Sequence, residues 1–356
     1  MSDPSASSSP RPPRLHGLDL ARLAAFVGMV IVNFTIVMGA ENDDGLLRWL
    51  MEPLQGKAAA TFVVLAGVGL GLAAARGEHA RTVVVTLRRA AFLFALGMLN
   101  SLIFPADILH YYAFYFVAGV LVLRASTAWL VGLIGFLPLL FVGLLMLFDY
   151  DAGWRWADYT YLDFWTPRGF VRNLVFNGWH PLIPWLAFLL FGLVLARLPL
   201  AERAVQRRLI LVGGVTLVVV EPMAALLTRA AATVDAELAL ITTTAPIPPM
   251  PLYVIAGLAA AALAIGTCLR LAEPLARAGV LGWLTPAGRQ ALTLYVAHIV
   301  VGMGTLEALG WLGGRTRADV LVASLVFCGL AVVGARLWSR RFARGPLETV
   351  MRRWAG

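Results

Sequence analysis

The chain has 356 residues, 60% of them hydrophobic and 14% charged, with a formal net charge of +9 and a mean hydropathy of +0.80. Soluble domains are nearer ~45–50% apolar and ~25% charged, so an ordinary soluble domain is excluded. The positive charge sits mainly on arginines in short connections between apolar runs, the pattern that orients a membrane protein rather than one that grips nucleic acid.

In chain order, residues 1–15 are Ser- and Pro-rich and read as a disordered N-terminus. The first apolar run, about 18–39, follows a basic segment, but "VMGAEN" is a poor small-residue cleavage site, so the run reads as a retained helix. It carries Asn33 towards one end; at the other, Asp19 and Arg22 stand at i and i+3, as a structural ion pair would. A second span, about 57–75, opens on Lys57. The third and fourth, about 89–104 and 108–124, are short and meet at Pro105, which predicts a tight hairpin or a re-entrant pair. A long run such as "AWLVGLIGFLPLLFVGLLMLF" (Ala128 to Phe148) is sufficient to cross ~30 Å of hydrocarbon. The remaining spans are expected at about 181–197, 209–228, 251–270, 289–311 and 318–338. The basic tail, 339–356, places Leu347, Val350, Met351 and Trp354 on one helical face and is expected along the inner leaflet. The expected fold is an all-α polytopic membrane protein of about ten transmembrane helices. With the N-terminus inside, most of the 29 lysines and arginines fall in inner connections, so both termini are expected to be cytoplasmic and the chain multi-pass in the plasma membrane.

Cys268 and Cys328 both lie in apolar runs and offer neither a disulfide framework nor metal-ligand spacing; no metal is expected. P-loop, dinucleotide-fold, zinc-protease and nucleophile-elbow motifs do not occur.

Polar residues gather in three places. In "FPADILHYYAFYF", Asp107 is placed to start a helix after Pro105. Asp107 and His110, at i and i+3, also make a candidate general-base pair, because a helix N-terminus keeps a nearby histidine neutral. The alternative for His110 is an interfacial histidine bonded to a backbone carbonyl. Tyr112 follows as a candidate contact to substrate or as a hairpin anchor. "NGWHPLIPW" sets Trp179 and His180 at the mouth of the sixth span, either an interfacial aromatic belt or a surface for a sugar or lipid headgroup. Within the membrane, Lys57, Glu221 and His298 are ionisable and therefore functional candidates, although an interhelical hydrogen bond explains His298 equally well.

The segments "LHGLDLARLAAFVGMVIVNF", "GKAAATFVVLAGVGLGL", "FPADILHYYAFYF", "NGWHPLIPWLAFLLFG", "PPMPLYVIAG", "GRQALTLYVAH" and "RGPLE" occur in this order, from about Leu15 to Glu348. In this the chain resembles YeiB-like bacterial membrane proteins of unknown function and, more distantly, the catalytic domain of heparan-alpha-glucosaminide N-acetyltransferase. The resemblance implies a ten-helix transmembrane acyltransferase-like domain over 16–338, with acyl-CoA as cytosolic donor and a sugar or similar acceptor on the far side. It implies that Asn33 lies near the acyl group. The acetyltransferase branch also places a histidine in the loop after that motif; here there is none between Asn33 and Lys57, only Glu41, Asp43, Asp44 and Glu52. Leu23 likewise stands where that branch has glycine.

The leading expectation is an acyltransferase with His110, oriented by Asp107, as base, His180 as its rival, and Asn33 as hydrogen-bond donor to the acyl oxygen. Lys57, Trp179, Tyr112 and His298 are the expected substrate contacts. Arg88, Arg89 and Arg289 are candidates for the CoA phosphates, against the reading of a solvated positive-inside cluster. Expected partners are membrane lipids and a small-molecule or glycan acceptor, with a homodimer left open. The alternatives are a proton-coupled transporter working through His298 and Glu221, and a non-catalytic membrane subunit.

Overall fold

The computed structural model describes residues 14–40 and 45–356; Glu41, Asp43 and Asp44 lie outside these described residues. The chain opens with α1 (His16–Val37), a short turn α2 (Arg48–Met51) and α3 (Lys57–Arg76). A hairpin of α4 (His79–Asn100) and α5 (Leu109–Leu121) precedes α6 (Thr127–Leu145). A two-stranded ribbon, β1 (Trp154–Arg155) with β2 (Thr160–Tyr161), and the short α7 (Pro167–Arg172) lead through a π-helical turn at Asn173–Asn177 into α8 (Leu182–Leu195). Then follow α9 (Arg203–Ala232), α10 (Ala236–Leu240), α11 (Pro251–Arg277), α12 (Leu281–Arg289) and α13 (Ala291–Ala297). A second π-helical turn, His298–Met303, joins α13 to α14 (Gly304–Ala308); α15 (Arg317–Trp338) and α16 (Pro346–Ala355) complete the chain.

Each of the ten expected apolar segments has a helical counterpart. Among the described residues, eight helical segments can cross a membrane unaided by length and apolarity, α7 through α8 forms a pair bent by 53°, and α5 is a shorter apolar helix. The chain is a multi-pass membrane protein. The third segment differs most from expectation: α4 begins at His79 rather than near residue 89, so it is not short. Its arginines are tolerated because Arg81, Arg88 and Arg89 lie in its first half, at the end of the bundle where the arginine-rich connections gather.

α1 is the central helix, packed against α3, α11, α12 and α15. Without a strong hydrophobic drive between helices in lipid, close approach depends on small residues. The α3–α8 contact illustrates this: a Cβ on Gly67 would collide with the Leu189 carbonyl, and one on Gly192 with that of Val64. At Gly97 a Cβ would strike the His110 backbone, so this glycine lets α4 and α5 close into their hairpin. α16 packs on α4 and α13, and Glu348 accepts from the Leu292 N–H (2.8 Å), the Thr293 N–H (3.1 Å) and the Thr293 hydroxyl (2.6 Å). That carboxylate caps the start of α13 from 55 residues away in sequence.

Candidate functional site

Two cavities enter the bundle from opposite ends. The first, about 360 Å³, lies at the aromatic end, with Asn33, Gln55, Trp156, Tyr159, Trp179 and His180 in its wall. The second, about 340 Å³, opens at the arginine-rich end, with Arg14, Arg22, Arg89, Arg289, Tyr112 and Glu348 among its lining. Both are walled by Met29, Ile108 and Tyr295. These three side chains form the partition between them.

Tyr295 is held at both of its polar ends. Its hydroxyl donates to Asp107 Oδ1 at 3.1 Å and accepts from the Ile108 N–H at 3.2 Å, while its carbonyl accepts from His298 Nδ1. A carbonyl can only accept, so Nδ1 carries the proton, and the neutral ring leaves Nε2 as an acceptor. Asn33 Nδ2 therefore donates to Nε2, at 2.9 Å. This orders the Asn33 amide: one N–H goes to His298, and the second N–H and Oδ1 remain for the cavity that Asn33 lines. His298 itself is 0% exposed and stands behind Asn33, outside both cavities. A π-helical turn starts at His298, next to this side-chain bond.

Asp107 is fully buried and has four donors: the Asn100 side-chain amide (3.1 Å), Tyr295, and the backbone N–H groups of Leu109 (2.7 Å) and His110 (3.4 Å). It thus accepts from the first N–H groups of α5, one residue before the helix's N-cap position at Ile108, and in addition anchors the partition.

The other residues singled out in the sequence divide between the cavities and the scaffold. His180 and Trp179 line the aromatic-end cavity with Asn33, and the His180 ring packs edge-on against Trp185 at 4.6 Å. His110 lines neither cavity; its Nδ1 is 3.5 Å from Asp107, and its ring is enclosed by Tyr111, Phe164 and Phe170. The first turn of α5 points it at α4 and α7, not at the bundle axis. Tyr112 lines the cavity of the arginine-rich end. Lys57 lies in neither lining and pairs with Glu221 at 2.9 Å; Glu221 also accepts from Thr244 at 2.7 Å. The two groups neutralise each other and tie α3 to α9, which occupies the carboxylate on which the transporter alternative relied. Arg89 and Arg289 line the basic cavity whereas Arg88 lines none of the cavities, being on an exposed face of α4. Glu52 pairs with Arg48 at 2.7 Å on the surface.

Beyond the second cavity, a basic mouth of about 580 Å³ adds Arg344 and Arg352 to Arg14, Arg89 and Arg289. Sequence reasoning missed Tyr295, Arg14 and the part played by α16. Tyr295 and His298, at i and i+3 in the apolar "ALTLYVAH", were the available signal for the first.

The aromatic cap over the first cavity is built on Asn177. Its amide donates to the carbonyls of Tyr150 (2.7 Å) and Ala152 (2.9 Å), its Oδ1 accepts from the Tyr161 hydroxyl (2.7 Å), and its carbonyl accepts from the Trp154 indole (2.6 Å). Trp154 and Trp156 stack at 4.5 Å, and Trp179 meets Trp154 edge-on. The ribbon turn is closed by Arg155, whose hydrogen bond to Asp158 holds the pKa of that carboxyl down at about 2. Tyr159, in the same turn and in the cavity wall, takes a positive φ of 54°, a backbone state uncommon outside glycine. No group of side chains suited to hold a metal occurs among the described residues.

Compared with known families, the profile described as heparan-alpha-glucosaminide N-acetyltransferase, catalytic, matches residues 14–232. A second, described as a protein of unknown function (DUF418), matches residues 194–356. No curated protein matches the chain. The first match holds Asn33, Asp107 and His180; the second holds Tyr295, His298 and α16.

Proposed function

Because the chain belongs to the family of the heparan-alpha-glucosaminide N-acetyltransferase catalytic domain, we propose that it moves an acyl group, acetyl in the first instance, from acyl-CoA to a sugar or similar acceptor across the partition. The observation that carries this reading is the pair of cavities entering from opposite ends and sharing Met29, Ile108 and Tyr295. In the proposed orientation the arginine-rich end and both termini face the cytoplasm, and the membrane is the plasma membrane.

The donor's phosphates rest among Arg14, Arg89, Arg289 and Arg344, where guanidinium forks suit phosphate oxygens. Its thioester arm runs up the mostly apolar second cavity to the partition. The acceptor sits under Trp156, Tyr159 and Trp179, whose rings suit the apolar face of a sugar. His180 takes the proton from the acceptor amine or hydroxyl as that atom attacks the thioester carbonyl. The free N–H of Asn33 donates to the oxyanion that forms. When the C–S bond breaks, the acyl group stays on the acceptor and the proton on His180 passes to the departing thiolate. His180 thereby takes the place left by the missing histidine after Asn33, from a different loop. Asp107 and His298 act as positioning residues through Tyr295 and Asn33, and His110 acts as scaffold.

The test is a titration of the purified protein with acetyl-CoA, longer acyl-CoAs, CoA and ATP, read by thermal unfolding. A ligand that binds only the folded state raises the apparent Tm saturably. A shift that is larger for an acyl-CoA than for CoA or ATP supports the reading and begins to rank donors. Identical shifts for all four, or none at millimolar ligand, sink it.

A further inference from the structure

A third basic feature lies to one side of the donor path. A groove of about 460 Å³ runs between the α3–α4 turn and α16, with Arg76, Arg81, Arg89 and Arg352 in its wall beside Thr82 and Thr86. Glu78 is the only acidic residue among the described residues of that wall. None of the four guanidinium groups makes an ion pair or side-chain hydrogen bond with a described residue, while among the described residues other arginines, such as Arg14, Arg22, Arg172 and Arg203, are paired to carboxylates. Four guanidinium groups against one acidic side chain leave an excess of positive charge in one concavity, which favours an anion. A second, independent element points the same way. The 22-residue α4 begins at His79 beside this groove, and its N-terminus has no side-chain cap, leaving first-turn N–H groups and the positive end of the helix dipole open to an anion.

The surroundings indicate the anion's source. α16, which contributes Arg352, is amphipathic: Met351 and Ala355 turn inwards, while Val350 and Trp354 are exposed, the latter by 64%. An exposed tryptophan on such a helix belongs at the level of lipid headgroups. On the α4 side, Val85 adds apolar surface to the groove wall itself, and Val84 beside it in sequence is exposed. A soluble anion needs no such border, whereas a lipid does: its headgroup phosphate meets the arginines and its chains continue along the helix.

We propose that this groove binds the phosphate headgroup of an anionic phospholipid from the leaflet at the arginine-rich end. Because Arg89 also lines the second cavity and Arg352 the basic mouth, the bound lipid holds α16 against α4 and with it the cavity wall formed by Glu348 and Met351. The site stands whether or not the cavities hold a donor and an acceptor.

The experiment is a thermal-unfolding titration of the full chain in neutral detergent with short-chain phosphatidylglycerol, short-chain phosphatidylcholine and inorganic phosphate. It is run on the unaltered protein and on Arg76→Gln/Arg81→Gln, two positions outside the proposed catalytic and donor machinery. A saturable rise in Tm with phosphatidylglycerol alone is expected, with apparent affinity weakened about thirtyfold in the double variant. The control for folding is the double variant's own unfolding transition without lipid, which stays cooperative and close in Tm to that of the unaltered protein. Equal shifts with phosphatidylcholine, or a phosphatidylglycerol response unaltered by the double substitution, overturn the proposal. A saturable response to inorganic phosphate that blocks the lipid's effect would make the groove a soluble-anion site and overturns the lipid assignment.

Discussion

At the scale of single residues, the two histidines near the aromatic end separate cleanly. His180 borders the aromatic-end cavity and His110 is sealed among aromatic rings. His180→Ala is expected to lower acyl transfer by about 10²–10⁴-fold, the range for loss of a general base. His110→Ala is expected to leave turnover within a fewfold of the original while costing about 1–3 kcal/mol of stability, visible as a lower Tm. The reverse pattern would return the role to His110. Asn33 allows a finer test, because His298 fixes which way its amide faces. Asn33→Ala should reduce kcat by about 10²–10³-fold with little change in KM for the donor, as expected of a contact made to the developing oxyanion. Asn33→Asp should do no better, since a carboxylate cannot donate to a neutral Nε2 that is itself an acceptor.

Helices and their connections were legible in the sequence to very different degrees. Apolar runs and proline breaks located each long helix, because length and hydropathy are the properties that lipid selects. Tertiary partners were not legible in the same way: nothing local in "RGPLE" says that Glu348 will cap α13, and nothing in Lys57 says that Glu221 will neutralise it. The same holds within the site. Asn33 and His180 were found as polar residues at helix ends, but their shared cavity depends on the packing of α1 against α3 and the bend before α8. Arg88 and Arg89 were indistinguishable by residue type, and only the phase of α4 sends Arg89 inwards. For the ribbon, the prediction is that Asn177→Ala removes the three side-chain hydrogen bonds at its centre and leaves only the one its backbone carbonyl accepts from Trp154, loosening the cap. KM for the acceptor should rise about tenfold or more while acyl-CoA binding, read by thermal shift, stays as it was.

On the scale of the whole molecule, charge and polarity divide the bundle into an arginine-rich end and an aromatic end, with one buried polar network between. Binding of a polyanionic donor at the former should weaken as ionic strength rises from about 0.01 M to 1 M, because screening shortens from ~30 Å to ~3 Å. Arg289→Gln should weaken donor binding and flatten that salt dependence, with acceptor KM unaltered; an unchanged salt profile would detach Arg289 from the donor.

The three-residue partition has an electrical consequence. If water fills both cavities, most of a membrane potential falls across Met29, Ile108 and Tyr295, a distance of a few side chains rather than the full ~30 Å of hydrocarbon. A full charge crossing there would gain or lose ~2.3 kcal/mol per 100 mV, whereas a neutral acyl group would feel nothing. In sealed vesicles, a turnover rate indifferent to imposed voltage is the signature of an acyl group passing alone, and a steeply voltage-dependent one that of an ion travelling with it.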